Sequence, residues 1–179
     1  IHLIVMGTQG ATGIKKIVVG TIANKIINET EIPTILIPDE YELKTPEIIL
    51  FTSHILNYNL HHLKPVIALA ELFKASLKIV HFYSEDIGGA NYEEVKKEFD
   101  DYKNNLLCEK EYSKAECRLI RTTDISKEFE NLHNVIPYDL IVMVRRKKAV
   151  LDKFLFKSFT REMAYTTKYP LLILQENVD

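Results

Sequence analysis

Residues 3–38 can be laid on residues 140–175 at a constant offset of 137 (140 − 3) without a gap. Leu3–Met6 falls on Leu140–Met143, Lys16 on Lys153, Thr21 on Ser158, Thr30 on Thr167 and Pro33 on Pro170. Seven of the 36 aligned pairs are identical, and most others keep apolar character in the same places. An ungapped register of this length constrains the fold more than any single motif, because it says that the chain carries one supersecondary unit twice.

The hydrophobic pattern says what that unit is. Leu3–Met6 and Thr34–Ile37 are short continuous apolar runs, as expected of parallel strands buried on both faces. Between them Ile17, Val18, Val19, Ile22, Ala23, Ile26 and Ile27 recur at helical spacing, predicting a helix over about 16–30 that Pro33 ends. A polar linker over 39–46 follows. Beyond it, strands are predicted at Ile48–Thr52, Leu77–Phe82, Cys117–Arg121, Leu140–Val144 and Leu171–Leu174. Helices are predicted at about 60–75, 92–112 and 153–167, with a further one capped by Asp124 and carrying Ile125, Phe129, Leu132 and Ile136 inward. Cys117–Arg121 alternates like a strand near a sheet edge. Strands alternating with helices predict right-handed βαβ units in an α/β fold: a doubly wound five-stranded parallel sheet.

The repeat therefore divides the chain. Residues 1–42 read as the final strand-helix-strand of a first domain, and residues 46–176 as a complete second one. The sequence opens on Ile1 in mid-strand, with no turn or cap before it, and is read as an amino-terminally truncated piece of a longer protein; a processed chain would look the same.

Composition excludes several function classes. The net charge of −2 and pI near 6.3 argue against nucleic acid as a partner, since that affinity is built from clustered Lys and Arg. No apolar run approaches the roughly 18 residues that span a bilayer, so no membrane partner is expected and the chain is read as cytoplasmic. Cys108 and Cys117 have neither metal-ligand nor CxxC spacing and read as buried, reduced thiols. The adjacent His61-His62 pair cannot face one metal as an i, i+4 pair could, and His54, His81 and His133 have no visible carboxylate or cysteine framework. Ser53-His54 are only sequence neighbours, and no G-x-S-x-G elbow exists, so no nucleophile and base pair emerges. The run Arg145-Arg146-Lys147-Lys148 could dock an anionic ligand or acidic partner, but reads first as a solvated loop.

What remains is the glycine-rich loop between the first strand and helix. Gly7, Gly10, Gly13 and Gly20 let the backbone approach a ligand closely, and a helix amino terminus behind them offers unpaired N–H donors to a phosphate. Thr21 adds a hydroxyl. Glycines here also serve as plain turn formers, and neither GxGxxG nor a P-loop GKS/GKT is present.

The spacing Gly7-x2-Gly10-x9-Gly20-Thr21 reproduces G-x2-G-x9-G-[S/T], and with the surrounding LIVMGTQGATGIKKIVVGTIANKII and PTILIP it resembles the universal stress protein family over residues 3–38. Over 46–176 the resemblance rests on element order, the repeat register and the closing DLIVM and LLIL elements. It implies a five-stranded parallel sheet of the adenine nucleotide alpha hydrolase-like type, with ATP as cofactor at the glycine motif and an Asp at the end of the first strand. Carried over by position, Gly7, Thr8, Gly10, Gly20 and Thr21 would bind the nucleotide; the Asp of the first copy precedes this sequence. In the second copy Gly7, Gly10 and Gly20 become Val144, Lys147 and Lys157, only Ser158 keeps the hydroxyl of Thr21, and Phe51-Thr52-Ser53-His54 ends its first strand without an Asp. That copy is expected to bind no ATP. The resemblance also implies that final strands meet antiparallel, as a homodimer or an intramolecular pseudo-dimer, so Thr34–Ile37 should lie beside Leu171–Leu174. The leading expectation is a non-enzymatic stress-response protein. A structural or dimerisation module without nucleotide is the alternative, and slow ATP hydrolysis or nucleotidyl transfer lacks a visible base or metal carboxylate pair.

Overall fold

In the computed structural model residues 3–8, 21–53, 63–84, 91–108, 115–145 and 168–175 are described. They contain, in chain order, β1 (Ile4–Gly7), α1 (Thr21–Glu29), β2 (Thr34–Ile37), β3 (Ile48–Ser53), α2 (Lys64–Phe73), β4 (Ser76–Tyr83), α3 (Tyr92–Cys108), β5 (Glu116–Arg121), α4 (Ile125–Val135), β6 (Leu140–Arg145) and β7 (Leu171–Gln175). The fold is mixed α/β, as expected. Its strands number seven among the described residues rather than the five of a single sheet, because β1 and β2 pair onward to the strands of the second copy. The helix expected over 153–167 and residues 16–20 of the first helix lie outside the described residues.

The chain forms two compact units, Ile1–Lys44 with Leu140–Asp179, and Thr45–Asp139. In the first, β1 runs parallel to β2 with Ile4 opposite Thr34, Val5 opposite Ile35, Met6 opposite Leu36 and Gly7 opposite Ile37. β6 runs parallel to β7 with Ile141 opposite Leu171 and, in step, Val144 opposite Leu174. Adding 137 to each member of the first set yields the second. Even the entry bonds repeat: the Ile4 N–H donates to the Pro33 carbonyl at 2.9 Å, and the Ile141 N–H to the Pro170 carbonyl at 2.9 Å. The two pairs are joined by β2 and β7, antiparallel, as the family resemblance implied for these segments. There Ile35 faces Leu172, its own counterpart at offset 137, flanked by Thr34 opposite Ile173 and Leu36 opposite Leu171. Ile35 and Leu172 thus stand at the centre of the antiparallel junction. β6 and β7 are buried almost throughout, while β1 alternates, with Leu3 at 43% and Val5 at 58% exposure.

In the second unit β3, β4 and β5 are parallel, with β4 between the others. Successive residues of a strand point to opposite faces, and β4 shows helices on both. His81 stacks on Phe99 and Tyr83 meets Tyr92, both from α3, whereas Phe82 packs on Phe129 of α4. Asp124 caps α4 as read from sequence, its Oδ1 accepting the Lys127 N–H at 3.0 Å. β5 pairs only with β4 among the described residues and has an exposed and half-buried alternation. Cys117 on that strand is free and half-buried, not buried as the sequence suggested, because the strand has no described neighbour on its other side. Burial still pushes its thiol up to about 11, so it stays protonated at neutral pH.

Candidate functional site

The glycine loop starts where β1 ends. Gly7 is the last residue of β1 and lies opposite Ile37, the last of β2, so two parallel strands finish side by side. In open α/β sheets ligands bind outside such carboxyl ends, where backbone groups leave the ladder. The next residue, Thr8, prolongs the ladder by one bond, its N–H donating to the Ile37 carbonyl at 3.0 Å. Its side chain is 1% exposed, and its Oγ1 has no hydrogen-bond partner among the described residues. A buried hydroxyl left unpaired costs about 1–3 kcal/mol. Among the described residues Thr52 Oγ1 and Ser84 Oγ are buried without a hydrogen-bond partner in the same way.

Thr21 is the first described residue of α1, and residues 9–20 before it lie outside the described residues. Of the expected site residues, Gly7 and Thr8 stand at the strand end and Thr21 is the first described residue of α1, while Gly10 and Gly20 lie outside the described residues.

The segment at offset 137 differs at the corresponding places. Val144, the counterpart of Gly7, is 2% exposed, and its Cβ occupies a position that Gly7 leaves open. Arg145, the counterpart of Thr8, is not the solvated residue expected of a charge run. It is half-buried at the end of β6, its Nη1 donating to the Ile27 carbonyl of α1 at 2.6 Å and to Gln175 Oε1 at 3.5 Å. Gln175, 7% exposed and opposite Arg145 in register, donates its Nε2 to the same carbonyl at 3.4 Å. Burial draws the guanidinium below its ordinary range. Reading the basic run as one block hid this arrangement. The signal was present in the repeat, where Thr8 and Pro38 are replaced together by Arg145 and Gln175, two residues that can bond each other. Arg146, Lys147 and Lys148 lie outside the described residues.

Two of the remaining sequence candidates, His81 and His133, pack against aromatic rings. His81 is 3% exposed against Phe99, and burial pushes its pKa down to about 4. His133 stands edge-on to Tyr138 at 4.9 Å. His54, His61 and His62 lie outside the described residues. Among the described residues no three His, Cys, Asp or Glu side chains could hold one metal ion, and no helix is long and apolar enough to cross a membrane.

No family model matches the sequence, and no curated protein matches it. Solved structures do resemble it. A universal stress protein from Archaeoglobus fulgidus DSM 4304 aligns with a TM-score of 0.76 at 14% identity, over 98% of this chain and 63% of that one. A functionally unknown protein from Pseudomonas aeruginosa PAO1 aligns with a TM-score of 0.69 at 13% identity, over 97% of this chain and 63% of that one. The chain thus spans under two thirds of the length of these neighbours, and the likeness is one of fold: it has a universal stress protein fold.

Proposed function

We propose that the chain is a tandem universal stress protein, a non-enzymatic stress-response protein that holds the phosphates of an adenine nucleotide, ATP in the first instance, at the loop from Gly7 to Thr21. The observation that carries this reading is the Thr8 hydroxyl at the carboxyl end of β1, buried and without a partner among the described residues, inside the G-x2-G-x9-G-[S/T] spacing. Thr8 would donate to a phosphate or ribose oxygen, Gly7 would leave the approach clear, and the first turn of α1 would add N–H donors. ATP would supply negative charge and occupancy rather than a reactive group, so binding acts as a switch of conformation or assembly.

Residues 1–42 are taken as the end of a first domain and residues 46–176 as a second. This division is supported by the shared register of β1 with β2 and of β6 with β7 and by the two-fold junction at Ile35 and Leu172, which would make the chain an intramolecular pseudo-dimer. The second copy is taken to bind no ATP, because Val144 and Arg145 fill the places of Gly7 and Thr8. The reading implies a cytoplasmic protein with neither nucleic acid nor a membrane as partner.

Titration calorimetry with ATP on the purified chain tests this. The wild type is expected to bind, and Thr8→Val to bind at least about tenfold more weakly, the worth of one hydrogen bond to a charged group. Its melting temperature should hold or rise, because the unpaired hydroxyl is gone. A wild type that binds no ATP would leave the alternative, a structural or dimerisation module, which the protein-to-protein use of Arg145 independently favours for the second copy. Unchanged nucleotide after long incubation excludes hydrolysis.

A further inference from the structure

Among the described residues β1 pairs only with β2, and β2 meets β7 over a short ladder, from Thr34 opposite Ile173 to Leu36 opposite Leu171. β6 and β7 are paired for longer, from Ile141 opposite Leu171 to Arg145 opposite Gln175, so β7 is held in place whether or not β2 lies on it. Two side chains of that longer pair reach α1: Arg145 Nη1 donates to the Ile27 carbonyl at 2.6 Å and Gln175 Nε2 to the same carbonyl at 3.4 Å. Beyond β2, residues 38–47 run to β3 with neither helix nor strand, and Glu42, Leu43, Lys44 and Thr45 among them are exposed. The bonds at Ile27 are of a kind that water can replace. Apolar groups such as the fully buried Leu36 resist separation in proportion to the area they bury, whereas a half-buried guanidinium and an amide recover hydration when the helix end leaves. Their net hold is a factor of about ten or more, enough to keep a contact closed and small enough to open.

We propose that β1, α1 and β2 form an exchangeable arm, which leaves β7 by turning about residues 39–46 and closes on β7 of a second molecule of this chain, with Arg145 and Gln175 as the latch that holds it closed. A second molecule is the partner that fits. Its β7 offers the same ladder and the same two donors, so the exchanged junction repeats every pair of the closed one, from Thr34 with Ile173 to Ile27 with Arg145. Leu36 and Leu171 are fully buried when paired, and opening bares both to water, so an open arm returns to a matching edge. Within one chain the linker keeps the arm at a high effective concentration, so exchange is slow and rises with the concentration of protein. The arm needs no nucleotide to open, and its exchange stands apart from the nucleotide reading above.

The test mixes two variants of the full chain, Ile35→Cys and Leu172→Cys, in equal amounts under mild oxidation. Peptide mapping then reads any disulfide between positions 35 and 172, a link that joins two molecules. Facing residues of an antiparallel pair stand close enough for such a bond, and a chain carrying both substitutions, which should close within itself, is the control for geometry. The link between molecules is expected to accumulate with time and with protein concentration, and to form at least about fivefold faster when both variants also carry Arg145→Ala. Gln175→Met should act in the same direction, and serves if Arg145→Ala does not fold. Absence of the link while the control closes would overturn the exchange, and equal rates with and without the latch substitutions would overturn the role of Arg145 and Gln175. Hydrogen exchange on the wild type decides the opening without any cysteine. The Ile35 and Leu36 amides should exchange together and sooner than those of Ile79 and Val80 in β4, and equal protection in the two places would overturn the arm.

Discussion

His81 shows how a single side chain acquires a pH signature from packing alone. It lies on β4, 3% exposed, against the Phe99 ring at a centroid distance of 6.2 Å, and burial lowers its pKa from 6.5 to about 4. Between those values the unfolded chain takes up a proton that the folded chain refuses. Stability is therefore intact above about pH 6.5 and is lost as the pH falls toward 4, by an amount on the order of 3 kcal/mol for one such group. Urea unfolding at pH 7 and pH 4.5 should show this fall in the wild type and a clearly smaller one in His81→Phe; equal slopes in both would reject the assignment. Asp139 is the other residue that packing defines. Its Oδ2 accepts the Glu47 and Ile48 N–H groups at 2.9 and 3.0 Å, and its own N–H donates to the Ile48 carbonyl at 2.9 Å, fixing where β3 begins. Neither role was legible in sequence, because both depend on partners from other elements: for Asp139, residues more than 90 positions away.

Elements were far more legible, since their signals are local. The apolar runs at Thr34–Ile37 and Leu77–Phe82, and the stripe of Phe129, Leu132 and Ile136, stand as β2, β4 and the buried face of α4, within a residue or two of the expected bounds. Ends were less legible where backbone geometry, not side-chain pattern, sets them. α2 stops at Lys74, the one described non-glycine residue with positive φ (φ 54, ψ 33). There the Ala75 N–H reaches back to the Ala70 carbonyl at 2.8 Å and the Lys74 N–H to Glu71 at 3.1 Å. This is a left-handed cap that glycine adopts without the crowding a Cβ brings. Lys74→Gly is expected to stabilise the protein by about 0.5–1 kcal/mol, read as a higher urea midpoint at unchanged slope. A loss of stability would mean that the lysine side chain contributes more than its backbone strain costs.

At the scale of the whole chain the repeat makes matched and unmatched predictions. Leu36 and Ile173 are counterparts at offset 137, both fully buried and placed symmetrically about Ile35 and Leu172. Leu36→Ala and Ile173→Ala should cost similar amounts, about 2–5 kcal/mol each. Val5 and Val142 are counterparts too, yet Val5 is 58% exposed and Val142 fully buried. Val5→Ala should stay within about 0.5 kcal/mol while Val142→Ala costs more than about 1 kcal/mol. Urea denaturation of the four variants checks both statements, and unequal costs at Leu36 and Ile173 would break the two-fold reading.

Sequence by itself determined the α/β class and the order and kind of the described elements, because hydrophobic period is a property of neighbours along the chain. The glycine spacing likewise singled out Gly7, Gly10, Gly20 and Thr21 as candidates before any coordinates. Only the tertiary structure decided that the Thr8 hydroxyl is buried without a partner among the described residues, that Ile35 faces Leu172, and that Arg145, one letter of a basic run, reaches the end of α1 beside Gln175. Those facts join residues as far as 118 and 148 positions apart. Charge and apolarity in a sequence say which groups need a partner, whereas the identity of that partner depends on which distant groups the closed chain brings within hydrogen-bonding distance.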